Sequence, residues 1–210
     1  MFQEMINGSI AVISRPSVST FEEHEKNNLS WALIYTLIGA VISSILAAIN
    51  SAIFSSEIDP EQAAQLEQLG MDPATLSAQP GGIGGAVVGA LIFATIGFFI
   101  YYGLVYLLGR AFGGTGQFGE LTYDISLFAA PLGVVSSILS FIPFVGAIAG
   151  FVLLFYNIYL TYLGIQSGMN LPGNKALYVV LIIVAIVILF ALCVGVIFGA
   201  AFLALLGASQ

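Results

Sequence analysis

Residues 176–206 read ALYVVLIIVAIVILFALCVGVIFGAAFLALL, a run without one charged side chain. Within it Leu181 to Leu192 is apolar without interruption, where a membrane barrel strand would alternate apolar with polar lumen positions. An unpaired backbone group in hydrocarbon costs several kcal/mol, so a run of this kind has to be a helix, and roughly twenty residues cross the bilayer core. Working outward, four more such runs precede it: Trp31 to Phe54, Ile83 to Leu108, Ile125 to Ile142 and Phe144 to Ile165. The fold class is therefore an all-α integral membrane protein with five transmembrane helices. Residues 1–28 form an N-terminal segment, and residues 29–210 form the membrane domain. Only Pro143 separates the third and fourth runs, which predicts a tight helical hairpin. The fifth run is longer than a span requires, so it tilts, extends into solvent or breaks near Gly195 and Gly199.

Composition agrees. The chain is 59% hydrophobic and 7% charged, far below the roughly 25% charged content of soluble domains. Four Lys plus Arg against eleven Asp plus Glu, a net charge of −7, leave nothing to neutralise a run of nucleic-acid phosphates. One Cys and one His provide neither a Cys/His metal site nor a Ser-His-Asp triad, so the expectation is no catalytic residue, no metal and no cofactor. Cys193, buried in the fifth span, reads as a small apolar filler. His24, in a run of Glu, reads as a solvated side chain.

The four positive residues set the orientation. Arg15 and Lys26 precede the first span, Arg110 lies between the second and third, and Lys175 between the fourth and fifth; with five spans all fall on one side. This places the N-terminus in the cytoplasm and the C-terminus outside. The outer segment 55–82 carries Glu57, Asp59, Glu61, Glu67 and Asp72 and reads as a solvated acidic loop with a short helix from Pro60 to Leu69. At the start of the chain, Phe2, Ile6, Ile10 and Ile13 recur at helical spacing, which predicts an interfacial helix on the inner leaflet, with a disordered tail as the alternative. Polar residues 17–26 then lead to the first span.

Small residues at four-residue spacing predict where helices approach closely. Gly39, Ser43, Ala47 and Ser51 form one row in the first span; Gly81, Gly85 and Gly89 continue the pattern in the second, and Gly146/Gly150 and Gly195/Gly199 repeat it. They serve packing within one bundle or homo-oligomerisation. All nine tyrosines fall at or inward of the midplane, which suggests either inner-leaflet anchoring or a polar cavity opening to the cytoplasm. Residues that the topology gathers at that face are Arg110, Gly113, Gly114, Glu120, Tyr123, Asp124, Asn157, Tyr159, Tyr162 and Lys175. Glu120 and Asp124, one turn apart, read either as helix-terminal carboxylates or, for Asp124, as the partner of Arg110 or Lys175. The Gly113-Gly114-Thr115-Gly116 turn lacks Walker spacing, yet beside Arg110 it is a candidate cradle for a lipid phosphate.

With these elements in order, the sequence resembles the Yip family of Ypt/Rab-interacting membrane proteins. The resemblance rests on Ser14-Arg15-Pro16 with Phe21, the Phe112-Gly113-Gly114-Thr115-Gly116-Gln117-Phe118-Gly119-Glu120 turn, Pro131, the Pro143 hairpin, and Gly164 to Gly168 leading through Leu171-Pro172-Gly173-Asn174 to Lys175-Ala176. It implies five spans with a cytoplasmic N-terminus, no known catalysis, and structural roles for Gly113, Gly114, Glu120 and Pro131. Eukaryotic relatives act in vesicle trafficking and contact Rab GTPases. The short segment ahead of the first span departs from them and matches a short prokaryotic member, in the plasma membrane. The resulting expectation is a non-enzymatic membrane organiser, a trafficking-type scaffold that binds lipids or other membrane proteins at its cytoplasmic face. The alternative is a small channel or transporter with a Tyr/Asn/Asp-lined inner vestibule; the serines of the outer half can satisfy themselves on backbone carbonyls, which argues for a closed path.

Overall fold

A computed structural model describes residues 1–54 and 82–208 of the chain. The acidic loop and the short helix expected from Pro60 to Leu69 fall outside the described residues. Among the described residues the protein is all-helical: α1 (Phe2–Ser14), α2 (Val18–His24), α3 (Leu29–Phe54), α4 (Gly82–Ala111), α5 (Phe118–Leu139), α6 (Pro143–Gly168) and α7 (Gly173–Ala208). The five from α3 to α7 are long and apolar enough to cross a membrane. Pro143 sits at the start of α6 and the α5–α6 hairpin turns within residues 140–142, as the sequence predicts. The fifth run is one unbroken helix that continues past Gly195 and Gly199.

The spans are unequal. Half of the apolar window of α5 is buried, against 11–22% for the other four spans, so α5 is the central helix. Its largest interfaces are with α3 and α6, while α4 packs mainly on α3. The Gly39 and Ser43 row accounts for the first contact. A Cβ on Gly39 would stand 3.1 Å from Ala130 Cβ and 3.2 Å from the Ala130 carbonyl oxygen, so any side chain there would press the two helices apart. In the second span the expectation fails at Gly89, which has nothing within 4 Å where α4 turns its Val88, Ile92 and Phe93 outward; Gly81 lies outside the described residues. Gly150 and Gly195 are equally open, whereas a Cβ on Gly146 would lie 2.7 Å from the Leu139 carbonyl oxygen, a close approach of the kind predicted; Cys193 is exposed on α7, not buried. The serine hydroxyls behave as expected, with Ser44, Ser137 and Ser140 donating to the carbonyls of Val41, Gly133 and Ser137.

The core lies at one end. Helices α3, α5 and α7 begin there and α4 and α6 finish there, and the buried side chains belong to those portions: Tyr35, Tyr102, Val105, Leu121, Phe128, Leu160, Ile165 and Val179 among them. Toward the other end large apolar residues such as Phe93, Phe144, Phe151 and Phe190 are exposed. Lipid tails are as apolar as these side chains, so this exposure carries no hydrophobic penalty in a bilayer.

The N-terminal segment closes the packed end, and here the structure departs from the sequence reading twice. Helix α1 forms, but it turns Met5, Gly8, Ser9 and Val12 to the bundle and leaves Phe2 and Ile10 exposed. The reason is Gly8, whose missing side chain lets α1 settle against Leu127 and His24; a Cβ there would be 3.2 Å from Leu127 Cδ2. The second departure is α2, a two-turn helix inside the polar stretch 17–26. Ser17 caps it, its hydroxyl accepting from the Thr20 backbone N–H at 3.1 Å, and Phe21 on its inner face is fully buried, edge-on to Phe128.

These contacts give an expected outcome. Gly39→Leu should destabilise the detergent-solubilised protein by about 1–3 kcal/mol, the range of core overpacking, whereas Gly89→Leu should melt within about 0.5 kcal/mol of the parent. Equal melting of the two variants in a thermal unfolding series would contradict the central placement of α5.

Candidate functional site at the packed end

The turn between α4 and α5 is built from backbone contacts. The N–H groups of Gly113 and Gly114 donate to the carbonyls of Arg110 (3.0 Å) and Gly109 (2.8 Å). Those of Thr115 and Gly116 both donate to the Met169 carbonyl just beyond α6, at 3.0 and 3.4 Å. The Gln117 N–H donates to the Glu120 carboxylate at 2.7 Å, closing a capping box. Five consecutive donors are thus spent inside the protein, so the expectation that this turn cradles a lipid phosphate is not met: no backbone N–H of residues 113–117 is left for an anion.

Glycine is required at this turn for closeness. A side chain on Gly116 would collide with the Gly168 carbonyl, and a Cβ on Gly168 would lie 2.7 Å from Leu121 Cα. Gly113 additionally adopts φ 92°, in the left-handed region. Helix α6 ends with Asn170 at φ 51°, whose N–H returns to Ser167 O at 2.9 Å while that of Leu171 returns to Gln166 O at 3.1 Å. The linker after α2 lies on the same junction: Asn27 donates its side-chain amide to Gln117 Oε1 at 2.7 Å and sits directly over Gly119.

The sequence-predicted residues separate into three places. Arg110, Gly113, Gly114 and Lys175 surround the α4–α5 turn; Arg110 donates to the Gly114 carbonyl at 3.2 Å and lies 5.9 Å from the Tyr106 ring centroid, and Lys175 Nζ is beside Gly113. Glu120, Tyr123 and Asp124 face the N-terminal segment. Asn157 lies in an apolar groove of about 380 Å³ between α4, α6 and α7, with Tyr101 and Thr161. Tyr159 is exposed on α6, and the Tyr162 hydroxyl packs on Gly173. Asn157 and Asp124 therefore do not line one vestibule.

The expected pairing of Asp124 with Arg110 or Lys175 is also absent. Asp124 is fully buried, and neither carboxyl oxygen has a hydrogen-bond partner among the described residues. Arg110 is on α4, which shares little surface with α5, so adjacency along the chain did not become adjacency in space. The acid beside Asp124 is instead another carboxyl. Ser167, itself buried, donates to Glu25 Oε2 at 3.3 Å, and Gly168 brings the end of α6 against Asp124 Oδ2. Burial, and then the negative charge of Glu120, raise the Glu25 carboxyl above the ordinary range; Ser167 opposes this in part and Glu22 adds to it.

Tyrosines fasten the segment to the bundle. The Ser9 and Tyr35 hydroxyls are 2.9 Å apart, and Tyr156 donates to the Ile13 carbonyl at the end of α1. Glu4 meets Lys26 at 3.0 Å, and that hydrogen bond, with the nearby amino-terminus, holds the Glu4 carboxyl below the ordinary range. Both partners are well exposed, so the pair contributes little to stability. Glu4, Asn7, Glu23, His24, Lys26 and Tyr123 line a polar recess of about 250 Å³. His24 is half-buried under Gly8, with Nδ1 3.0 Å from the Thr20 carbonyl, and is not the solvated residue the sequence suggests. Among the described residues no group of three His, Cys, Asp or Glu converges on a metal position.

The order of these elements, from α1 through the glycine turn to α7, is matched by residues 10–195 as a Yip1 domain. The chain belongs to the Yip1 family. No curated protein and no solved structure matches it. Yip1 membership, with five apolar helices, makes it an integral multi-pass membrane protein of a family not known for catalysis. In this Yip1 domain the glycines of the α4–α5 turn are packing positions. Gly116→Ala should therefore lower stability by at least about 1–3 kcal/mol, and Tyr156→Phe by about 1 kcal/mol, the net worth of one hydrogen bond. Thermal unfolding of the two variants beside the parent checks both values.

Proposed function

We propose that this Yip1-domain protein is a non-enzymatic organiser of its membrane, a scaffold that binds lipid or protein partners at the end of the bundle closed by α1 and α2, and that this end faces the cytoplasm. One observation carries the reading: every charged residue among the described residues lies at that end, in the N-terminal segment (Glu4, Arg15, Glu22, Glu23, Glu25, Lys26), at the α4–α5 turn (Arg110, Glu120, Asp124) or at the start of α7 (Lys175). The gathering of all four Lys and Arg residues there supports the cytoplasmic orientation. The recess between α1, α2 and α5 is a polar concavity at that end, and Phe2 and Ile10, exposed on α1, suit contact with the inner leaflet. Among the described residues no charged side chain lies in the remainder of the bundle, which favours a binding role over transport.

Two measurements test this. A reporter fused before Met1 should read as cytoplasmic and one after Gln210 as external; both on one side would refute the orientation. A photo-crosslinking residue at Asn7 or Glu23 should capture discrete protein or phospholipid adducts in native membranes, and Lys26→Ala should diminish them. Adducts at Asn7 and Glu23 no different from those at lipid-facing Phe93 would refute a partner surface at this end.

A further inference from the structure

Asp124 is a fully buried carboxyl with neither oxygen paired, at the place where α2, α5 and α6 meet. An ionised carboxylate there would be stranded in a low-dielectric site. The surroundings offer it no positive charge. The groups around Asp124 are Glu25 at the C-cap of α2, the Ser167 hydroxyl of α6, Glu120 of its own helix α5 and Glu22 of α2. From α1 the nearest ionisable group is Glu4, engaged with Lys26 and the amino-terminus; from α3 it is Tyr35, bonded to Ser9. Tyr123 on α5 adds only a phenol. Arg110 and Lys175 are held at the α4–α5 turn. Two carboxyls flank one serine, and no cation reaches either.

We propose that Asp124 and Glu25, which meet the end of α6 at Gly168 and Ser167 respectively, form a proton-binding site, and that the bound proton latches the α1–α2 segment onto the bundle. In the latched form an O–H bond on one carboxyl supplies the missing donor and removes one negative charge, so α2 can lie against α6 with Phe21 seated on Phe128. Loss of that proton to solvent, through half-buried Glu25, leaves two carboxylates facing each other across Ser167 and drives α2 away. Undocking would uncover the socket formed by Phe128, Ile125 and Gly164 that Phe21 now fills. The raised position of the Glu25 carboxyl supports the same direction: docked protein binds more protons than undocked, so docking is strongest below the ordinary Glu range near 4.5 and weakens as pH rises through the raised value. Glu4 acts oppositely, its pairing being lost only as pH falls below its own ordinary value of 4.5, so the two effects occupy different windows.

The test uses the full chain in neutral-lipid nanodiscs, in a Cys193→Ser background, with nitroxide labels at Ser19 of α2 and Leu177 of α7, both exposed. The inter-label distance distribution is measured from pH 5 to pH 9. The docked distance should dominate in acid, and the docked-to-undocked ratio should fall by up to about tenfold per pH unit through the transition, the limit for one proton. Asp124→Asn and Glu25→Gln should each keep the docked distance at every pH. Should Asp124→Asn fail to fold, Glu25→Gln, which changes only a half-buried surface group, carries the test. A distribution independent of pH in the parent, a transition that persists in Glu25→Gln, or docking at pH 8 that is restored by millimolar Mg²⁺ or Ca²⁺ instead of by acid would each overturn the proposal.

Discussion

The contact of Gly116 with the carbonyl of Gly168 determines how the packed end is assembled. Two chain segments approach there at backbone distance, and the Met169 carbonyl then accepts from both Thr115 and Gly116. Because α5 starts immediately after this contact, its first turns are pressed against the last turn of α6, with Leu121 on Gly168. That fixes where Asp124 points, and it leaves room for Asn27 only over Gly119. The N-terminal segment can dock in one register, since Asn27, Phe21 and Gly8 each fit a site that the α5–α6 junction has already shaped. In hydrocarbon, where burial of apolar surface supplies no drive between helices, such close approach and the hydrogen bonds it permits are what give one arrangement an advantage over others.

Glycine accordingly plays two parts that composition does not distinguish. Gly39, Gly116, Gly119 and Gly168 lie against other backbone or short side chains, whereas Gly89, Gly97, Gly103 and Gly150 have nothing within 4 Å. What separates them is whether another chain segment converges on that face, at the packed end for the first four and, for Gly146 against the Leu139 carbonyl, at the α5–α6 hairpin.

That distinction explains how far the sequence could be read. The five spans and the Pro143 turn were legible, since hydropathy over twenty residues and a proline at a helix start are strong local signals, and the Gly39/Ser43 row was legible because it happens to face the central helix. The face of α1 was not: four bulky residues at helical spacing outweighed Gly8 and Ser9, yet the small residues set how near the helix can come. Helix α2 escaped because seven residues with a single buried aromatic give no periodicity, although Ser17 after Pro16 is a capping signal. For the site, gathering the charged residues at one end was legible from topology alone. Their partners were not, since pairing Arg110 with Asp124 assumed that helices consecutive in sequence share a face, while α3 is the element α4 packs on.

The distribution of polar contacts also separates two roles that charge serves here. Positive residues lie where they interact with the chain's own backbone or with exposed acids: Arg110 on Gly114, Lys175 beside Gly113, Lys26 on Glu4. Such exposed or peripheral charges bias orientation across a bilayer, but they fix little of the internal geometry. The interior of the same end relies on hydroxyls and carboxyls, with Ser167 against Glu25 and Ser9 against Tyr35. A network without cations loses the strongest kind of buried pairing, so its stability depends on how many protons it holds and on how closely helices approach. Among the described residues the far portions of the spans carry no charged side chain, and their exposed apolar residues suit lipid tails as apolar as themselves, so polar specificity is concentrated at the packed end.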